Sequence, residues 1–303
     1  MSIESITHDG GTLAVEVTGA DNAVSPGRPL VVLAHGMGDD RQAYRFVAPA
    51  LVRDGYRVAA VDLRGSGDSS VEWGDFSRTA IAGDLVAVTR QLLAGEPDGA
   101  RAVLVGHSIS GGAATIAAAT APELVASLVE IAPFTRKQSV SLASLRDRDF
   151  RRGMRHLLAT AMRGSVDSWV KYLDVAYPEG ADATRPADHD ARIAEIRATL
   201  AEPGRMAALK KMGSTTPADA GARLGDVRVP VLVIEGEDDP DWADPRAEGE
   251  KILSDLTSSP LARLEVIPGS GHYPHVQHAE EVTRLITAFI AETAGAASDG
   301  TDR

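Results

Sequence analysis

From residue 30 onward the hydrophobic positions come in short continuous blocks: LVVLA (30–34), YRVAAVDL (56–63), RAVLVG (101–106) and SLVEIA (127–132). Blocks of this length, bounded by Gly, Pro and polar residues, predict strands buried on both faces, as in a parallel sheet. Two more follow near the other end, VPVLVIEG (229–236) and LARLEVIPG (261–269). The chain opens with a different rhythm. ESIT and TLAVEVT alternate around Gly10-Gly11, which predicts an antiparallel hairpin. Between the blocks, apolar residues recur at helical spacing. The segment 41–53 repeats Tyr44, Val47 and Leu51, and Ser77 can cap a helix whose inner stripe is Ile81, Leu85, Val88 and Leu92. A last helix carries Val282, Leu285, Ile286 and Phe289. This alternation predicts an α/β fold, a doubly wound and mostly parallel sheet of about eight strands with right-handed crossovers.

The alternation lapses between 135 and 227. Helical pieces such as SVDSWVKYLDVAY, ARIAEIRATLAE and PGRMAALKKM follow one another, punctuated by Gly164, Pro178, Pro203 and Gly213. A helical block set between two strands of one sheet reads as an inserted cap over the strand ends. The expected organisation is therefore a core from 1–134 and 228–293, a cap from 135–227, and a disordered tail from 294–303, which is small and polar.

Composition narrows the function. The net charge is −12 with Lys and Arg dispersed, which argues against nucleic acid and anionic membranes as partners. There is no cysteine, hence no disulfide framework and no thiolate nucleophile. The opening MSIESITHDGGTL lacks the basic start and apolar centre of a signal peptide, and no apolar run is long enough to span a membrane. A cytoplasmic monomer or homodimer with a small-molecule substrate is expected.

In open parallel sheets ligands bind at the carboxyl ends of the strands. Four predicted strand ends carry reactive residues: His35-Gly36-Met37-Gly38, His107-Ser108-Ile109, Glu237-Asp238-Asp239-Pro240-Asp241, and Ser270-Gly271-His272-Tyr273-Pro274. A serine needs an imidazole to take its proton, and the imidazole needs a carboxylate to fix its tautomer. A serine at a sharp strand-to-helix turn also stands at a helix N-terminus, whose N–H groups can hold an oxyanion. Ser110 lies two residues into that helix and should face away from the crevice. The acid could be Glu237, Asp238, Asp239 or Asp241, with Glu130 as an outlying candidate. His272, His275 and His278 are spaced three apart, but Pro274 interrupts any shared helical face, so no metal site is expected. GSGDS lacks the lysine of a phosphate loop, and HGMGDD lacks a third glycine, so no cofactor is expected.

Serine, acid and histidine in that chain order, on strand-end loops, resemble the α/β-hydrolase superfamily, and in particular its capped, cofactor-independent serine hydrolases. The resemblance spans about 30–134 and 228–292. It implies Ser108 as nucleophile, Asp239 as the acid through G-x-x-D-P (236–240), and His272 as the base. The other carboxylates of 237–241 then form a solvated acidic loop. The resemblance also implies backbone N–H donors on Met37 and Ile109 for the oxyanion. The turn at Asp62-Leu63-Arg64-Gly65-Ser66-Gly67-Asp68-Ser69 resembles a structural turn of the same fold. The sequence reads G-H-S-I-S where G-x-S-x-G is usual; the turn is expected to need small residues rather than glycine as such. A similar G-H-S-x-S occurs in the small-molecule-sensing branch of the superfamily. Large residues in or beside the cap, among them Phe134, Met154, Met162, Trp169, Tyr172, Tyr177, Met206 and Met212, suggest an apolar pocket for a neutral ester, lactone or similar molecule. The expected lining is His35, Gly36, His107, Phe134, Trp169, Tyr172, Trp242 and Tyr273. Carbon–carbon or lactone hydrolysis, perhydrolysis, and ligand sensing with slow incidental hydrolysis are the alternatives.

Overall fold

The structure, a computed structural model, describes residues 2–22, 24–25, 27–138, 144–178 and 185–299. Eight strands form one sheet: β1 (Ser2–His8), β2 (Gly11–Thr18), β3 (Leu30–Ala34), β4 (Val58–Val61), β5 (Ala102–His107), β6 (Val125–Ile131), β7 (Val231–Gly236) and β8 (Ala262–Ile267). Their order is β1-β2-β4-β3-β5-β6-β7-β8. The opening hairpin is antiparallel, as is the β2–β4 pairing, and the remaining six strands run parallel.

The continuous apolar blocks follow from burial on both faces. Val32 and Ala34 of β3 join a cluster with Ile81, Leu85 and Val88 on one side of the sheet. Val31 and Leu33 join Val47, Leu51, Val282, Ile286 and Phe289 on the other. Each of the larger side chains (Val, Leu, Ile, Phe) contributes roughly 1.5–3 kcal/mol when fully buried. The covering helices are α1 (Val47–Arg53), α2 (Arg78–Leu93) and α3 (Ile109–Thr120), joined later by α9 (Pro245–Asp255), α10 (Pro274–Gln277) and α11 (Ala279–Asp299). Ser77 caps α2 as expected, its hydroxyl accepting from the Ala80 N–H.

Two expectations are corrected here. The single helix expected over 41–53 is a short 3-10 turn (Arg41–Tyr44) followed by α1. Asp40 caps that turn, and the Tyr44 hydroxyl anchors it to the Ala34 carbonyl at 3.0 Å. The tail expected to be disordered from 294 continues α11 to Asp299, because AETAGAAS is rich in helix-forming alanine. Residues 300–303 lie outside the described residues.

Between β6 and β7 lie α4 (Arg148–Arg163), α5 (Val166–Ala176), α6 (His189–Ala201), α7 (Arg205–Gly213) and α8 (Ala218–Gly221), with no strand among the described residues. Trp169, Leu173, Ile196 and Leu209 of these helices bury themselves against Tyr273, on the loop after β8, and Val276 of α10. The chain runs outward from β3 to β4 and returns across β3 to β5. That reversal places the crevice of the sheet at the ends of β3 and β5.

Candidate active site

At the end of β5 the backbone turns through Ser108, whose φ of 56° and ψ of −119° are unusual for a residue with a Cβ. The turn brings Gly106 against the next turn of chain. A Cβ on Gly106 would lie 2.2 Å from the Ser110 carbonyl oxygen, so glycine as such is required there, contrary to the expectation of smallness alone. Ser110 is different. It is buried, faces away from the crevice, and donates from Oγ to the His35 carbonyl at 2.6 Å. G-x-S-x-S is thus accommodated because residue 110 has room for a hydroxyl and a partner for it.

Asp239 follows β7, and His272 follows β8. The His272 ring meets Asp239 Oδ2 through Nδ1 at 2.7 Å. A carboxylate accepts, so Nδ1 carries the proton and Nε2 is the basic nitrogen. The loop is fixed from the cap side, where the His272 N–H donates to the Ala176 carbonyl at the end of α5 at 3.0 Å. Gly271 permits that approach, since its Cβ would stand 2.2 Å from the same oxygen. Asp241 departs from the solvated acidic loop expected of it. Glu237 and Asp238 are exposed, but Asp241 is buried. Its Oδ2 lies 3.4 Å from His272 Nδ1 and accepts the Tyr172 hydroxyl at 2.7 Å, while its N–H donates to Asp239 Oδ1 at 2.9 Å. Two carboxylates therefore flank one imidazole. Burial opposes the charged ring, yet Asp239 and then Asp241 outweigh it and raise His272 to about 9. Burial raises Asp241 to about 6, against the pull of His272 and with Asp239 adding to the rise.

Ser108 and His272 line one crevice of about 860 Å³ beneath the inserted helices. Among the described residues no hydrogen bond joins the Ser108 hydroxyl to the His272 ring; such bonds often tighten only around substrate. Met37 and Ile109 line the same crevice, and neither amide donates to the protein among the described residues. Two free N–H groups beside a hydroxyl can receive an oxyanion.

Of the expected lining, Gly36, His107, Phe134, Trp169, Tyr172 and Tyr273 face the crevice. His35 and Trp242 do not. His35 is used up internally, with Nδ1 on the Gly36 carbonyl at 2.7 Å and Nε2 accepting the Leu63 N–H at 3.1 Å. Trp242 lies behind Phe134, ring centroids 5.2 Å apart. His107 Nε2 donates to the His272 carbonyl at 2.8 Å. Met162, one of the large residues noted in the cap, is 73% exposed on α4. Glu130 is buried in β6 and accepts from Thr115, away from His272. In the 62–69 turn, Asp62 accepts the N–H groups of Arg41 and Asp68, which is a structural role. The ligand atoms of Asp239, Asp241 and His272 fall within 4.8 Å of one another, so among the described residues the group that could hold a metal ion is the acid–base cluster itself, without His275 or His278. The lining also carries Arg78, Arg136, Lys137, Lys210 and Lys211, which the apolar residues of the cap gave no reason to expect.

The sequence profile of the Alpha/beta hydrolase family matches residues 31–285. The chain is 28% identical over 272 residues to a probable esterase of Oryza sativa subsp. japonica, covering 87% of this chain and 92% of that protein. It is 26% identical over 306 residues to the 2-hydroxy-6-oxononadienedioate/2-hydroxy-6-oxononatrienedioate hydrolase of Cupriavidus pinatubonensis, covering 95% and 98%. Among solved structures it resembles a thermophilic esterase from Thermogutta terrifontis, with a TM-score of 0.71 and 25% identity over 97% of this chain and 100% of that one.

Proposed function

The chain belongs to the alpha/beta hydrolase family and is a hydrolase; from that premise we propose that it cleaves a carboxylic ester through Ser108, His272 and Asp239. The observation that carries this reading is the buried Asp239–His272 pair, 2.7 Å apart, in the same crevice as the strained Ser108 turn. In the proposed mechanism His272 Nε2 takes the Ser108 proton as Oγ attacks the ester carbonyl. Negative charge develops on the carbonyl oxygen between the Met37 and Ile109 amides. The tetrahedral intermediate collapses, His272 returns the proton to the leaving alcohol, and an acyl-Ser108 remains. Water, deprotonated by the same imidazole, attacks the acyl carbon and releases the acid. Asp239 holds the Nδ1 proton and stabilises the imidazolium at each stage.

Ser108→Ala is expected to lower kcat on short 4-nitrophenyl esters by at least about 10⁴-fold. Comparable turnover by wild type and variant would reject the proposal.

Two further readings have specific support. Relatives named 2-hydroxy-6-oxononadienedioate hydrolase favour a carbon–carbon bond as the target of the same three residues. Relatives named Karrikin insensitive 2 receptor, together with G-H-S-I-S, favour a sensor. Turnover of a vinylogous diketone faster than of any ester supports the first. A rate on every ester below about one per minute, with ligand-dependent melting shifts, supports the second; ordinary esterase rates lie far above that.

A further inference from the structure

Among the described residues three arginines are buried, and two of them are neutralised. Arg64 meets Asp84 through two bonds of 2.7 Å, and Arg192 meets Asp39 at 2.5 Å and Asp40 at 2.6 Å. Arg78 is 6% exposed and has no such partner. Its Nε donates to the Phe134 carbonyl at 2.9 Å and its Nη1 to the Thr215 hydroxyl at 3.3 Å, both neutral acceptors. Among the described residues no carboxylate lies within ion-pair distance, and Nη2 donates to nothing in the protein. Burying a cation without a partner is strongly unfavourable, because it loses hydration and gains no compensating charge.

Position makes the placement more unfavourable still. Arg78 is the first residue of α2, at the positive end of its dipole; the first turn has no acidic residue of its own, and the carboxylate there, Asp219, is engaged by the Thr79 N–H at 3.2 Å and hydroxyl at 3.1 Å. Burial accordingly pulls the guanidinium down to about 10, with only the more distant Asp219 raising it. A cation held in a buried place without an ion-pair partner is the kind of local conflict that marks a functional position.

Arg78 lines the crevice that holds Ser108, and the connection between them is short. The Phe134 N–H donates to the Ser108 carbonyl at 3.0 Å, while the Phe134 carbonyl accepts from Arg78. One residue thus separates the guanidinium from the backbone of the nucleophile turn. Lys137, Lys210 and Lys211 stand around the same crevice, as does Arg136, which is paired with Glu248; among the described residues the one acid in its lining, Asp241, is occupied by Tyr172. A cationic crevice in a chain of net charge −12 concentrates anions.

We infer that Arg78 is the recognition residue for a carboxylate on the substrate, so that the compound cleaved is an anionic ester or acyl compound rather than a neutral one. This rests on the hydrolase site proposed above and names its substrate class. The planar fork of Arg78 suits a carboxylate, with Nη2 free to donate and the lysines supplying longer-range attraction.

Two acyl esters with the same leaving group test it: 4-nitrophenyl butyrate and mono-4-nitrophenyl glutarate, whose acyl chain ends in a carboxylate. Wild type is expected to favour the glutarate by roughly 10-fold or more in kcat/KM, the effect of one charge-assisted contact. Arg78→Met should lower that ratio at least about 10-fold and Arg78→Lys should restore part of it, with added salt shrinking the wild-type preference. A binding readout separates this claim from the hydrolase reading. Calorimetry of phenylacetate with Ser108→Ala protein should show binding that the Ser108→Ala, Arg78→Met double variant loses. Turnover without preference for the glutarate ester, or a ratio unchanged in Arg78→Met, overturns the carboxylate site while leaving the esterase. Failure of every ester, with phenylacetate binding still dependent on Arg78, overturns the esterase and leaves the site. Absence of both preference and binding, or a melting temperature that collapses in both Arg78 variants as for a structural strut, overturns the role given to Arg78.

Discussion

Asp239 and Asp241 share one imidazole, and their contributions should separate under mutation. Asp239 Oδ2 fixes the tautomer that leaves Nε2 basic, so Asp239→Asn is expected to lower kcat by about 10⁴-fold. Asp241 stands farther off, at 3.4 Å, and acts on the charge of the ring. The reaction needs His272 neutral, so the acidic limb of kcat/KM against pH lies at the raised His272 value. Asp241→Asn removes one of the two charges that raise it, and the limb should move to lower pH. A pH profile that does not move would show that Asp241 leaves the ring untouched. Ser108 and His272 stood out by strand-end position and chain order, whereas Asp239 was singled out among four neighbouring carboxylates only by the resemblance carried in G-x-x-D-P. Asp241 was not, because nothing in GEDDPDW distinguishes its buried carboxylate from the exposed Glu237 and Asp238. Its hydroxyl partner, Tyr172, comes from 69 residues away. Arg78 carries a local signal, a cation directly after a helix cap, but it lies far from every strand end where nucleophile and acid are expected.

At the scale of elements, the strands were readable because a parallel sheet covered on both faces demands uninterrupted apolar runs. How the inserted helices dock was not readable, since their contacts join positions far apart in sequence. Arg192 on α6 reaches Asp39 and Asp40, 153 and 152 residues away, on the loop that carries Met37. From α5, Ala176 holds the His272 backbone, and Tyr177 stacks on Tyr273 with ring centroids 4.6 Å apart. The insert therefore braces both the loop of the proposed oxyanion site and the loop of the base. Arg192→Met would strand the buried Asp39 carboxylate and should cost about 3–5 kcal/mol in urea unfolding. It should also lower kcat more than it raises KM, because the Met37 amide loses its support. A variant as stable as wild type would show that the brace carries little.

The molecule as a whole sets buried acid against a negative surface. Glu130 lies inside β6 with Oε2 unpartnered, and burial raises it from its ordinary 4.5 to about 7, with the Thr115 bond opposing. The folded state then holds a proton that the unfolded chain releases. The sign follows: this residue costs stability as pH climbs from 4.5 to about 7, at up to about 1.4 kcal/mol per pH unit, and the cost levels off above. Glu130→Gln cannot ionise, so its melting temperature should gain on wild type between pH 5 and pH 8; parallel curves would contradict the assignment. The central claim concerns a smaller part of the molecule, the reactivity of one hydroxyl. Exposing the intact protein to a fluorophosphonate and mapping the adduct by peptide mass spectrometry tests it most directly. A single adduct on Ser108, absent from Ser108→Ala and strongly slowed in His272→Ala, is the predicted result. An adduct on Ser110 or elsewhere, or labelling indifferent to His272, would contradict it.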